Sequence, residues 1–492
     1  MYSISDLKKF KTCPRLYFLE KRNPPPRPPQ FIRLDRTISD LAARKLHIPP
    51  EQVFIGHTGD AKEKAVTALR TYRWLMKARF EAGKLRVKVP FLHKNGAAWD
   101  LYFTSLSLYP PATDLLYYKS VVWVLMQNGV KIRKIQLLHL NETYVRHGEP
   151  DPEALFVRSD SFYNAHHHPT LCVREAIAQC TDDPLAIMEK MARAAVSDCP
   201  EAVYTSHCRG RSTCRFYALC FPLEAQAPHN SILTLSDSAG RRAMWENGRM
   251  RLKDAALDEI EGTAQQYAEI MADRKGGQFV DRLALRSWLK RLREPISFLD
   301  FEWERYALPP YDGMRPLGVL PFEYSLHVQK RNGTLTHTVF LATHDDRKEI
   351  IRSLLQNIPA RGSIVAYNAT GAEMLRIQEL AEQFPEYKEA LLKLNERMLD
   401  LQIPFMTGMV YDTRLAGHWS LKKIMSLLQE ERSYRDLDIQ EGMAAVYQWR
   451  LLDREEPGVD REAIVSALKA YCGMDTYAMT VVLRWLRSLA RE

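Results

Sequence analysis

From Ser297 to the C-terminus, strand-like runs give way to helical patterns in a regular alternation. No other feature restricts the possible folds of this chain as much. "ISFLDFEW", "FEYSLHVQ" and "THTVFLAT" come first, each a short run rich in β-branched and aromatic residues. A helical pattern, the strand-like "GSIVAYNA" and further helices follow. Strands followed by strand–helix alternation predict an α/β domain over 295–492. Residues 1–224 mix both patterns and predict a second, mixed α/β domain. Residues 225–294 read as a helical connector that includes "RLALRSWLKRLREP". At 492 residues the chain has room for two or three domains.

The stretch "FLDFEWERY" (298–306) poses a chemical question. Side chains alternate along a strand, so Asp300 and Glu302 point the same way while Phe301 packs behind them. Like charges held together at a strand end are costly unless something neutralises them. Two more acids follow in comparable settings. Glu373 comes after the strand "SIVAYN" and the turn "ATGA" and opens a helix. Asp475 lies in "YCGMDTYAM", with Tyr471 four residues earlier on the same helical face. Spacing alone makes no motif of these four carboxylates; their shared placement at strand ends and helix faces is the signal. Asp400 reads as a turn acid.

"DFE", "YNATGAE" and "YCGMD" resemble, in order, the three motifs of DEDD exonucleases, which have the RNase H-like fold. The Tyr-x-x-x-Asp form of the last is similar to the subgroup with a catalytic tyrosine. The segments "YDGMRPLGVLPFEYSLHV", "LDLQIPF", "GHWSLKKIM" and "YRDLDIQEGMAA" closely resemble a bacterial domain-of-unknown-function family assigned to that superfamily, over roughly 295–485. The resemblance implies a catalytic set of Asp300, Glu302, Glu373, Asp475 and Tyr471. The four acids would hold two divalent cations, Mg²⁺ or Mn²⁺, about 3.5–4 Å apart, for phosphodiester hydrolysis. Tyr471 would position the attacking water. The second motif departs from the family, with Glu373 where many members carry Asp and "TGA" in place of a short aromatic step.

Seven of the eight cysteines precede residue 225. Cys208, Cys214 and Cys220 form a regular C-x5-C-x5-C in "HCRGRSTCRFYALCFP", and Cys13 stands far off in "KTCPRLYF". Four thiolates suit an iron–sulfur cluster or zinc. The arrangement resembles the clamp of RecB-like, CRISPR-associated nucleases, in which one N-terminal and three C-terminal cysteines enclose a 4Fe–4S cluster. Such nucleases, of the PD-(D/E)xK superfamily, carry Asp on one strand and Glu-x-Lys on the next. Here "LRVKVPFLHKNGAAWDLYFTSLSL" (85–108) is a predicted hairpin around Asn95-Gly96. Pro90 falls where the Asp belongs, and Phe103-Thr104-Ser105 where Glu-x-Lys belongs. The front domain is therefore expected to be a degenerate scaffold. "DAK" (60–62) matches D-x-K in letters only and reads as a helix start.

The chain carries +9 net charge, a mild bias towards a polyanion partner. No apolar stretch approaches a membrane span, and "MYSISDLKKFKTCPRLYF" lacks the apolar core of a signal peptide, so a cytoplasmic location with no membrane partner is expected. The leading expectation is a metal-dependent 3′–5′ exonuclease acting on single-stranded ends of DNA or RNA. The alternatives are a catalytically inactive, nucleic-acid-binding iron–sulfur scaffold and a zinc-stapled interaction protein.

Overall fold

The structure is a computed structural model that describes residues 1–25, 34–194, 199–209, 213–428, 430 and 432–491. Most of the proline-rich stretch 23–31, and Gly210–Ser212 inside the cysteine spacing, lie outside the described residues. The chain is mixed α/β and divides into two compact units, Met1–Ala225 with Ala307–Pro316, and Gln226–Tyr306 with Leu317–Glu492. The helices of 225–294, expected as a connector, fall inside the second unit apart from residue 225 itself. The excursion 307–316 belongs to the first unit. There Arg146 donates to the Pro309 carbonyl at 3.0 Å and the Gly148 N–H donates to Asp312 at 2.8 Å.

The first unit is built on a six-stranded sheet in sequence order: β1 (Val53–Ile55), β2 (Trp74–Ala82), β3 (Leu85–Asn95), β4 (Ala98–Thr104), β5 (Ile132–Leu140) and β6 (Phe156–Ser159). The hairpin β3–β4 turns at Gly96, whose φ of +63° is the left-handed value such a turn requires. The helix Leu115–Gln127 then crosses over so that β5 runs parallel to β4. Phe103, on the strand that would carry Glu-x-Lys, is fully buried and packs edge-on to Tyr117 and Tyr118. "DAK" leads into the helix Lys62–Thr71, with Asp60 accepting from the His57 N–H and from Lys64. The small hairpin of β7 (Ser161–Tyr163) and β8 (Pro169–Cys172) follows, and its exposed turn carries His166–His168.

In the second unit β9 (Gln278–Val280) pairs with β15 (Val410–Asp412). The main sheet contains β10 (Ile296–Arg305), β11 (Val319–Gln329), β12 (Leu335–Leu341), β13 (Ser363–Ala366) and β14 (Met398–Asp400), in the order β12-β11-β10-β13-β14. β10, first in sequence, is thus central, antiparallel to β11 and parallel to β13. One sheet face is apolar: Leu299, Phe301, Tyr324, Leu326 and Ile364 pack in a core with Ile350, Ile351, Leu354, Ile377 and Leu391 from the helices Arg347–Asn357, Glu373–Gln383 and Lys388–Glu396. The opposite face carries Asp300, Glu302, Glu323, Ser325 and His327. The 31-residue helix Arg461–Arg491 packs on it, anchored by Thr476, whose hydroxyl lies 2.7 Å from both Ser325 Oγ and His327 Nδ1. Among the described residues, no helix is long and apolar enough to cross a membrane.

Candidate metal centre

β13 pairs with β10 only as far as Phe298↔Val365. β10 therefore runs on past its parallel neighbour, and Asp300 and Glu302 fall in that extension. Open α/β sheets bind ligands in such crevices beyond the carboxyl ends of parallel strands. A bulge between Glu302 and Trp303 shifts the register and ends the acidic stretch. Past the end of β13 the chain turns through Asn368, at φ +66°, and enters the helix Glu373–Gln383 at its first residue. Asp400 holds that turn, accepting from the Asn368 N–H at 2.9 Å and the Gln402 N–H at 2.8 Å, as a turn acid should.

One carboxylate oxygen from each of Asp300, Glu302 and Asp475 lies within 4.8 Å of the others. Asp475 and Tyr471 sit one turn apart on the long helix, both buried, while Asp300 and Glu302 are half-buried. The Tyr434 hydroxyl donates to Asp475 Oδ1 at 2.6 Å. Lys422 donates to the Tyr471 oxygen at 3.1 Å and lies over the rings of Tyr471 and Tyr434, at 4.8 Å and 5.2 Å from their centroids. Glu373 is buried, and its Oε2 has no hydrogen-bond partner among the described residues. It is not in the tight group of three, but its charge acts on Asp300 and Glu302.

Burial pushes the Asp300 and Glu302 carboxyls well above the usual carboxylate range, and repulsion from Asp475 adds to it. Burial likewise lifts Glu373 to about 8, with Asp400 contributing. Burial raises Asp475 as well, but only to about 6, because the Tyr434 hydroxyl and the Lys422 charge favour its ionised form. Burial and the Asp475 charge drive the Tyr471 phenol far up, which makes it a donor and not a base.

Hard carboxylate oxygens converging from two strand positions and a helix, with an orphaned oxygen on Glu373, fit a divalent cation site. Buried acids in this number without a counter-charge are otherwise expensive.

Three contributors are not singled out by the sequence reading, although each lies within a segment quoted there. Glu323 faces Glu302 directly across β10–β11, is fully buried, and has neither carboxyl oxygen hydrogen-bonded among the described residues. The parity of "FEYSLHV" against "FLDFEW" could have found it, had the register been known. Tyr434 lies in a short turn with no periodic signal. Cys472 is buried, and its thiol lies 3.6 Å from Asp300 Oδ2.

Cys13, Cys208, Cys214 and Cys220 line one cavity in the first unit, walled by Leu16, Phe216 and Phe221. Cys13 caps the helix Pro14–Arg22, its sulfur accepting from the Leu16 N–H at 3.4 Å, and Cys208 accepts from the Thr205 N–H at 3.4 Å. Among the described residues, no three of these sulfurs fall within 4.8 Å of one another. A zinc tetrahedron with bonds of about 2.3 Å needs sulfurs about 3.8 Å apart.

Residues 297–420 match a domain of unknown function, DUF2779. The DUF2779 match covers Asp300, Glu302, Glu323 and Glu373, and ends before Lys422, Tyr434, Tyr471 and Asp475. No curated protein and no solved structure matches the chain.

Proposed function

We propose that the second unit is a metal-dependent exonuclease with an RNase H-like fold of the DEDD type, hydrolysing phosphodiester bonds at single-stranded ends. The convergence of Asp300, Glu302 and Asp475 within 4.8 Å carries this reading. The central position of β10 and the placement of Glu373 past the end of β13 support it.

Asp300, Glu302 and Asp475 would hold one divalent cation, and Glu373, whose Oε2 has no hydrogen-bond partner among the described residues, would supply a ligand for a second. Divalent cations bound there supply charge for the phosphate oxygens and acidify water. Tyr471, fixed at its oxygen by Lys422, keeps its proton to orient the attacking water. Lys422 also places a positive charge where the phosphate approaches. Tyr434 keeps Asp475 ionised, so that it accepts a cation near neutral pH. Hydrolysis forms a bond from the water oxygen to phosphorus and breaks the bond to the leaving 3′ oxygen, which takes up a proton.

In the first unit, Cys13, Cys208, Cys214 and Cys220, which line one cavity, would hold a 4Fe–4S cluster or zinc. The unit acts as a scaffold in a RecB-like fold, because Pro90, Phe103, Thr104 and Ser105 supply no carboxylate and no lysine where its nuclease chemistry needs them.

Incubating 5′-labelled single-stranded DNA and RNA with the protein and Mn²⁺ tests the reading. A ladder of products shortened from the 3′ end is expected. A few discrete 5′-labelled fragments without a ladder would indicate internal cleavage and rule out an exonuclease, and intact strands that remain bound would favour the inactive scaffold.

A further inference from the structure

The long helix Arg461–Arg491 presents a second face, distinct from the one carrying Tyr471 and Asp475. Positions 469, 473, 477, 480, 484, 487 and 491 recur at steps of three and four and so form one continuous stripe. Lys469, Gly473 and Tyr477 line a cavity of the second unit; Thr480, Arg484, Arg487 and Arg491 line the next one along. From Lys469 to Arg491 the stripe spans about 33 Å at helical rise.

The first cavity has an aromatic floor. His327 and His337 pair across β11–β12 and stack with centroids 4.0 Å apart and planes 10° from parallel. Burial pushes both imidazoles down, His327 to about 3, so the stack is uncharged at neutral pH. Gly473 permits the close approach of helix and floor, since a Cβ there would stand 3.0 Å from His337 Cε1. Arg432 joins from the preceding loop, over the Tyr477 ring at 5.2 Å. Two acids oppose this charge. Asp436 lies on the cavity wall and Glu430 stands 3.7 Å from Arg484, against five cations in all.

The cavity adjoins the acids. His327 lies four residue steps along β11 from Glu323, about 13 Å. The loop that brings Arg432 to the cavity also brings Tyr434 to Asp475.

We infer that this stripe is the track for a single-stranded nucleic acid, with a base held over the His327–His337 stack and the phosphates behind it following Arg484, Arg487 and Arg491. A cationic groove interleaved with aromatic faces is what strand binding without sequence readout requires. A duplex cannot offer an unstacked base to the histidine floor. The inference rests on the nuclease reading for the direction of the strand, but binding alone tests it.

The experiment is fluorescence anisotropy of labelled 12-nucleotide DNA and RNA with the full-length protein in EDTA, across a salt series. The probes are wild type, Arg484→Ala/Arg487→Ala/Arg491→Ala, the same three positions changed to Lys, and His337→Ala. The alanine triple should bind at least about tenfold more weakly, with a log K against log salt slope shallower by about 2, from a loss of about 0.7 per phosphate contact. The lysine triple should recover most of the affinity. His337→Ala should weaken binding with the salt slope unchanged. Wild-type affinity and slope in the alanine triple, or no binding by wild type at low salt, would overturn the track. Cleavage in Mn²⁺, measured separately, decides the nuclease reading whichever way the binding falls.

Discussion

Glu302 on β10 and Glu323 on β11 stand directly opposite each other on one sheet face, Glu302 half-buried and Glu323 fully buried. Like charges placed so destabilise a sheet. Burial lifts Glu323 to about 8, against which Lys469 pulls only partly. On the proposed metal-binding reading, the acids of this face weaken the metal-free fold, and a bound cation would offset that cost.

The sign of the pH effect follows. A carboxyl whose folded pKa is raised holds its proton in the folded state while the unfolded chain has lost it. Its contribution to stability is thus complete below about 4.5 and is lost as pH rises through about 8. In EDTA the melting temperature should fall over that window. Glu323→Gln should flatten part of the fall and raise the melting temperature at pH 8. Differential scanning calorimetry from pH 5 to 8.5 measures both.

Mn²⁺ should reverse the same penalty. At a hundredfold excess over its Kd, a cation binding the native state alone adds about 2.7 kcal/mol. Asp300→Asn and Asp475→Asn should each abolish that gain while leaving the metal-free protein as stable as wild type or more so. A thermal shift with and without Mn²⁺ reads the difference.

Tyr434 has a separable role. Its 2.6 Å bond favours the ionised form of Asp475, so Tyr434→Phe should raise the Asp475 pKa above about 6. Cations compete with protons for the site. The pH of half-maximal Mn²⁺ binding, followed by electron paramagnetic resonance, should therefore move upward in the variant, and a mid-point at the wild-type value would contradict the assignment.

Gly362 precedes β13 with φ +95°, and a Cβ there would meet the Pro295 carbonyl oxygen at 1.9 Å. Gly362→Ala should cost at least about 2 kcal/mol, since both the backbone and the packing resist it. Urea unfolding of the second unit tests this.

Some of this was legible in the sequence and some was not. Alternation in "FLDFEW" placed Asp300 and Glu302 on one face, and helical spacing put Tyr471 beside Asp475, because both are local periodicities. The strand and helix runs announced the mixed α/β class for the same reason. Glu323 escaped notice because cross-strand register is non-local: nothing in "PFEYSLHV" says which residue of β10 it will face. Tyr434 and the His327–His337 floor depend likewise on contacts between segments far apart in the chain. The assignment of 307–316 to the first unit could not be read from a stretch whose partners, Arg146 and Gly148, lie over 150 residues away.

The central claim is that the acids of β10 and the long helix hold the cations that cleave nucleic acid. The most direct measurement is the Mn²⁺-dependent degradation rate of a single-stranded substrate by wild type, Asp300→Asn and Asp475→Asn, each with its melting temperature checked. The account predicts rates reduced by about 10³-fold or more in both variants, with the fold intact. Degradation at the wild-type rate in either folded variant would contradict it.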